Sequence, residues 1–129
     1  NIKALYNNSF YGLKNLRKLN LRENLIEILQ NGYFNGLNNL NELNLNKNKI
    51  RTIKKHSFFG LERLRKLDLE NNVIEIIEEE SFYGLKNVIE LELASQNISA
   101  IEKNSFLGME SLRKLNLKDN FIEMLQEGC

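Results

Sequence analysis

The sequence predicts an α/β-type solenoid built mainly of short parallel strands, curved and right-handed, with five full strands and open ends. Three observations predict it. Compared with itself at an offset of 24 residues, the chain aligns over nearly its whole length without a gap, the mark of a repeat architecture. Each period contains a stretch such as Leu19-Asn20-Leu21, in which apolar and polar residues alternate with the period of a strand. A phenylalanine also returns once per period, at Phe10, Phe34, Phe58, Phe82 and Phe106.

The elements follow in order along one predicted domain, residues 1–129. Residues 1–15 read as the tail of a turn, with Ile2, Leu5, Phe10 and Leu13 in its apolar positions. Four whole repeats come next, 16–39, 40–63, 64–87 and 88–111, and a truncated one covers 112–129. Each opens on the pattern L-x-x-L-x-L-x-x-N: LRKLNLREN from Leu16, LNELNLNKN from Leu40, LRKLDLENN from Leu64, VIELELASQ from Val88 and LRKLNLKDN from Leu112. Val88 and Gln96 are the only departures. Successive side chains of a strand point to opposite faces, so the leucines turn inward and the residues between them outward. About twenty residues then return over the back, and since one turn cannot bury its apolar set alone, the turns must stack. The phenylalanines are expected to form a spine on the wider back face, and the unequal widths of the two faces curve the solenoid.

Three further columns punctuate the turns. Asn24, Asn48, Asn72 and Asn120 stand where the chain leaves each strand, where an amide can satisfy backbone groups of adjoining turns. Gln96 replaces the remaining member, and its extra methylene is expected to misplace the amide. The column Asn8, Gly32, His56, Glu80, Asn104 and Gly128 consists largely of residues that tolerate positive φ, so a left-handed residue is expected there, with Glu80 the poorest fit. Gly12, Gly36, Gly60, Gly84 and Gly108 are periodic and therefore structural.

At these motifs the chain resembles the leucine-rich-repeat family in its 24-residue form, as in Toll-like receptor and adhesion ectodomains and secreted relatives, over essentially all 129 residues. The resemblance implies an extracellular setting, secreted or as the ectodomain of a membrane protein, and a ligand docked on the concave strand face. The outward positions of that face are Lys18, Asn20, Arg22, Glu42, Asn44, Asn46, Lys66, Asp68, Glu70, Glu90, Glu92, Lys114, Asn116 and Lys118. They include no aromatic residue, and only Arg22 is of a type that anchors interfaces. A second candidate is a flank patch of Leu25, Val73 and Phe121, at the position after the asparagine column. Tyr11, Phe59, Tyr83 and Leu107 form an apolar column on the back that is expected to pack between turns. Asn7 and Asn97 head glycosylation sequons, Asn7-Asn8-Ser9 and Asn97-Ile98-Ser99.

Composition excludes several classes. With 18 basic and 17 acidic residues interspersed, the chain has no long-range field of either sign, so nucleic acid is not an expected partner. Charge interrupts every apolar stretch, so this segment is not expected to insert into a membrane. Cys129 is the only cysteine and permits no intrachain disulfide. The N-terminal residues lack the pattern of a signal peptide, and the chain reads as a mature or excised piece. One histidine, one terminal cysteine and no phosphate-cradling glycine cluster give no catalytic set, and neither cofactor nor metal is expected. The run Glu78-Glu79-Glu80 lacks the spacing of a calcium loop and reads as a solvated face beside Lys54 and Lys55 of the preceding turn.

The function expected is therefore non-enzymatic: an interaction segment of an extracellular recognition glycoprotein of innate immunity or cell adhesion, binding a protein ligand or co-receptor. Its rivals are a structural spacer within a longer arm and part of an enzyme or kinase whose catalytic domain lies outside these residues. Open ends also predict homodimers or end-to-end association.

Overall fold

The computed structural model describes all 129 residues. Each period of the sequence builds one turn of a parallel-strand solenoid. The first strand of each turn falls on the motif, giving β1 (Lys18–Asn20), β3 (Glu42–Asn44), β5 (Lys66–Asp68), β7 (Glu90–Glu92) and β9 (Lys114–Asn116). A two-residue strand follows eight residues later, giving β2 (Ile28–Leu29), β4 (Thr52–Ile53), β6 (Ile76–Ile77), β8 (Ala100–Ile101) and β10 (Met124–Leu125). The motif strands form one five-stranded parallel sheet in the order β1-β3-β5-β7-β9, and each pairs with the residue 24 positions on, as in Leu43↔Leu67. The second strands form two smaller parallel ladders, β2-β4 and β6-β8-β10.

The return segments contain turns and these short strands but no helix. A left-handed residue in every return explains why, because a residue at positive φ cannot continue a right-handed helix. Asn8, His56, Glu80 and Asn104 have φ between 55° and 63°, and Gly32 and Gly128 complete the expected column. A second left-handed column was not legible in the sequence: Glu23, Lys47, Asn71, Ser95 and Asp119 have φ between 54° and 57°, immediately before the ladder amides. Their residue types share no preference that a sequence could reveal.

The core is one continuous cluster. Leu43, Leu67 and Leu91 from the sheet, Leu29, Ile53, Ile77 and Ile101 from the second strands, and Phe34, Phe58 and Phe82 from the back are all buried in it. The phenylalanines stack face to face from Phe10 to Phe106, with ring centroids 5.5 to 6.3 Å apart and planes within 10° of parallel. Leu19 and Leu115, in the first and last turns of the sheet, pack on one side only and are less covered.

The asparagine ladder ties each turn to the one before. Asn72 Nδ2 donates to Leu69 O of its own turn and to Leu45 O of the preceding turn, and its Oδ1 accepts from Ile50 N–H. Asn48 and Asn120 repeat the arrangement. Gln96 does not misplace its amide as expected. Its longer side chain still donates to Leu69 O of the preceding turn and accepts from Ile74 N–H, and what it loses is the bond to Leu93 O of its own turn, where it keeps only a 3.5 Å contact with Ala94 O. Ser57, Ser81 and Ser105 make a further buried column, each hydroxyl donating to the carbonyl three residues earlier and closing the turn.

Candidate interaction surfaces

The strand face is more self-satisfied than its sequence suggests. In the first outward column Lys18 pairs with Glu42 at 2.8 Å and Lys66 with Glu90 at 3.4 Å, whereas Lys114 turns to Glu92 at 2.7 Å. The second column closes the strand exits. Asn20, Asn44, Asp68 and Asn116 each accept, through Oδ1, the backbone N–H two residues on, at Arg22, Asn46, Glu70 and Lys118. This is the local bond that short amide and carboxylate side chains make in turns. Glu92 is too long to repeat it and instead accepts from Lys114 and Asn116.

One expected contact residue must be withdrawn from the free surface. Asn46 is only 6% exposed, because its Nδ2 is drawn down between the carboxylates of Asp68 and Glu70. Ala94, from the same column, is buried as well. The side chains left free on this face are Lys118 and part of Arg22, whose Nε also donates to Glu23.

The charged groups here shift as their partners require. The Lys114 ammonium, donating to Glu92 Oε1, holds the Glu92 carboxyl below the ordinary carboxylate range against the opposing effect of its partial burial, and Asn116 adds to the lowering. In return, the hydrogen bond that Lys114 donates to Glu92 raises the lysine's own pKa. A carboxylate with a depressed folded pKa contributes stability that is present above its unfolded pKa and lost as pH falls through the folded value. Lys114→Gln is expected to raise the Glu92 midpoint in an NMR side-chain titration. An unmoved midpoint would assign the depression to another cause. Elsewhere, Glu23 is lowered by its hydrogen bond from Lys47, and Lys55 is raised by its bond to Glu80 at 2.7 Å. Lys55 thus meets Glu80 rather than the Glu79 that column order suggests.

The flank candidates do not merge into a patch. Phe121 is 66% exposed and Val73 is exposed, but Leu25 is half-buried, and Lys49 and Asn97 stand between the three along the backbone ladder. The adjoining column offers more apolar surface: Ile28, Ile76 and Met124 are exposed on the outer side of the second strands, separated only by Thr52 and Ala100. This column was not legible in the sequence, because Ile28 and Ile76 sit beside core residues and only the pleat of a two-residue strand turns them outward.

The back column also departs from expectation. Tyr11, Phe59, Tyr83 and Leu107 do not pack between turns but stand out of them, Phe59 at 58% exposure. The adjacent Phe spine already fills the space between turns. Tyr83 meets His56 edge to face, with ring centroids 5.3 Å apart, so the lone histidine is held by its left-handed backbone and by an aromatic neighbour. Phe59, Tyr83 and the glycines at positions 60, 84 and 108 line an open groove of about 290 Å³. Asn7, Asn97 and Cys129 are exposed. No helix is long and apolar enough to cross a membrane.

Comparison with known proteins places this geometry among its relatives. The family described as BspA type leucine rich repeat region matches residues 1–128 in six copies. Among solved structures, the crystal structure of the TLR13-ssRNA13 complex superimposes with a TM-score of 0.84 at 30% sequence identity. That alignment covers 98% of this chain and 21% of the other, so the chain spans about a fifth of its neighbour's length. No curated protein matches the sequence.

Proposed function

The chain belongs to the BspA-type leucine-rich-repeat family, and from that premise we propose that it is a protein-interaction segment of an extracellular recognition protein, serving innate immunity or cell adhesion. Its ligand or co-receptor docks on the strand face, chiefly at Arg22 and Lys118, with the solvent-exposed pair Lys66–Glu90 and the Lys114 partner of Glu92 beside them. One observation supports this above the others: five turns locked in register hold side chains of both signs at the fixed spacing of neighbouring strands, across a face with no enclosed cavity. Such an array suits a second macromolecular surface better than a small substrate. The flank residues Phe121 and Val73 are a secondary contact. The likeness to a Toll-like receptor and the exposure of Asn7 and Asn97 favour an ectodomain or secreted setting with glycans at those positions. No catalysis is assigned to these residues.

The neighbouring structure is a complex with single-stranded RNA, which sits poorly with the exclusion of nucleic acid drawn from net charge. RNA is therefore the rival ligand. Photo-crosslinking residues placed at Lys66 and at Lys118 are expected to capture a protein from the cell surface or extracellular fluid, while the same group at Leu107 on the back captures none. RNA adducts at Lys66 would replace a protein ligand with a nucleic-acid one. Absence of any adduct from the strand face would favour the spacer.

A further inference from the structure

The near-zero net charge conceals a segregation that appears once the turns are stacked. Residues 14–18 and their equivalents in the next four turns form the edge at which the chain enters the sheet. This edge carries nine basic and four acidic residues, a net +5, which leaves −4 for the rest of the chain. Alternation on the neighbouring column explains what happens to that charge. Turns one, three and five carry an Arg-Lys pair, at 17–18, 65–66 and 113–114, whereas turns two and four carry Asn41-Glu42 and Ile89-Glu90. Each of the three lysines finds a glutamate, but Arg17, Arg65 and Arg113 face Asn41 and Ile89 and find none. Arg63 is likewise exposed and unpaired. The column is rigid, since backbone bonds of 2.7 to 3.0 Å link Arg17, Asn41, Arg65, Ile89 and Arg113 from turn to turn.

We propose that this arginine edge is a second docking strip, and that its occupant is an extended acidic segment of a partner protein. The proposal rests on the protein-interaction reading only in taking the partner to be a protein. The guanidinium is weakly hydrated and presents a planar fork that matches a carboxylate with two parallel hydrogen bonds. Arg17, Arg63 and Arg65, with Asn41 and Asn87, line an open groove of about 340 Å³ that has no apolar member. Single-stranded nucleic acid binds by stacking its bases on aromatic side chains, and this groove offers none. Spacing favours a peptide. Alternate turns lie about 9.5 Å apart, two strand spacings of a parallel ladder, and three residues of polyproline II advance about 9.3 Å. A glutamate at every third position of such a segment would meet Arg17, Arg65 and Arg113 in turn, with the intervening residues over Asn41 and Ile89.

Fluorescence anisotropy of the 129-residue chain with a labelled peptide of about four Glu-Pro-Pro repeats tests this, with Gln-Pro-Pro as the neutral probe. The acidic peptide is expected to bind and the neutral one not. The triple change Arg17→Gln, Arg65→Gln and Arg113→Gln is expected to weaken binding about tenfold or more. Removing equal charge elsewhere, through Lys49→Gln, Lys54→Gln and Lys103→Gln, is expected to change it by less than about threefold. Circular dichroism and the unfolding midpoint establish that both variants keep the fold. Failure of the acidic peptide to bind, equal losses in the two variants, or tighter binding of an oligothymidylate or heparin fragment of the same charge would overturn the proposal. None of these outcomes bears on whether the strand face captures a protein, so the two readings fail separately.

Discussion

Phe58→Ala is expected to lower the free energy of unfolding by about 3–5 kcal/mol, the largest effect of any single truncation in the spine. Phe58 is fully buried and lies between two parallel rings, Phe34 at 6.1 Å and Phe82 at 6.0 Å. Removing it takes apolar area from the core and leaves a void that the neighbours on both sides can collapse only partly, because each is fixed by its own turn. A solenoid is stabilised by interfaces between adjacent turns, so a residue in the middle weakens two of them at once. Phe106→Ala should cost less, since Phe106 is half-buried and has a ring partner only in Phe82. Denaturant titration followed by far-ultraviolet circular dichroism measures both. A loss below about 1 kcal/mol at Phe58 would show that the spine is ornamental to a core held by the leucines.

Asn72→Ala is expected to cost about 2–4 kcal/mol, although it removes only a few atoms. The amide of Asn72 is buried, and its Oδ1 is the partner of Ile50 N–H at 3.0 Å. Without it that N–H is orphaned in the interior, and the desolvation cost of an unpaired buried donor exceeds the net worth of an ordinary hydrogen bond. The carbonyls fare better: Leu45 O keeps Asn48, and Leu69 O keeps Gln96. Asn72→Gln should therefore cost much less, because Gln96 shows that the longer side chain retains both bonds between turns. Equal losses for alanine and glutamine would mean that shape, rather than the bond to Ile50, decides this position.

Much of the architecture was determined by the sequence itself. A repeat that stays in step without a gap forces the same residues to meet in every turn. The pairing of Leu43 with Leu67, the parallel stack of phenylalanines and the asparagine ladder follow from an offset that can be counted. The left-handed column at Asn8, Gly32 and His56 was legible because glycine and asparagine recur there for a steric reason. The left-handed column at Glu23, Lys47 and Asn71 was not, since the ladder amides and the next turn impose that conformation on whatever residue stands there.

Tertiary structure alone decided which polar and apolar groups are free. Burial of Asn46 depends on two carboxylates one turn away, and the exposure of Phe59 on a spine that leaves no room beside it. Both are competitions for space or partners among three turns, which no single column displays. Charge followed the same logic. The sequence determined that positive and negative residues nearly cancel, while stacking determined that lysines and glutamates cancel on one column and the arginines beside them do not. A sum over the chain contains no positions, and binding is governed by where the unneutralised groups stand.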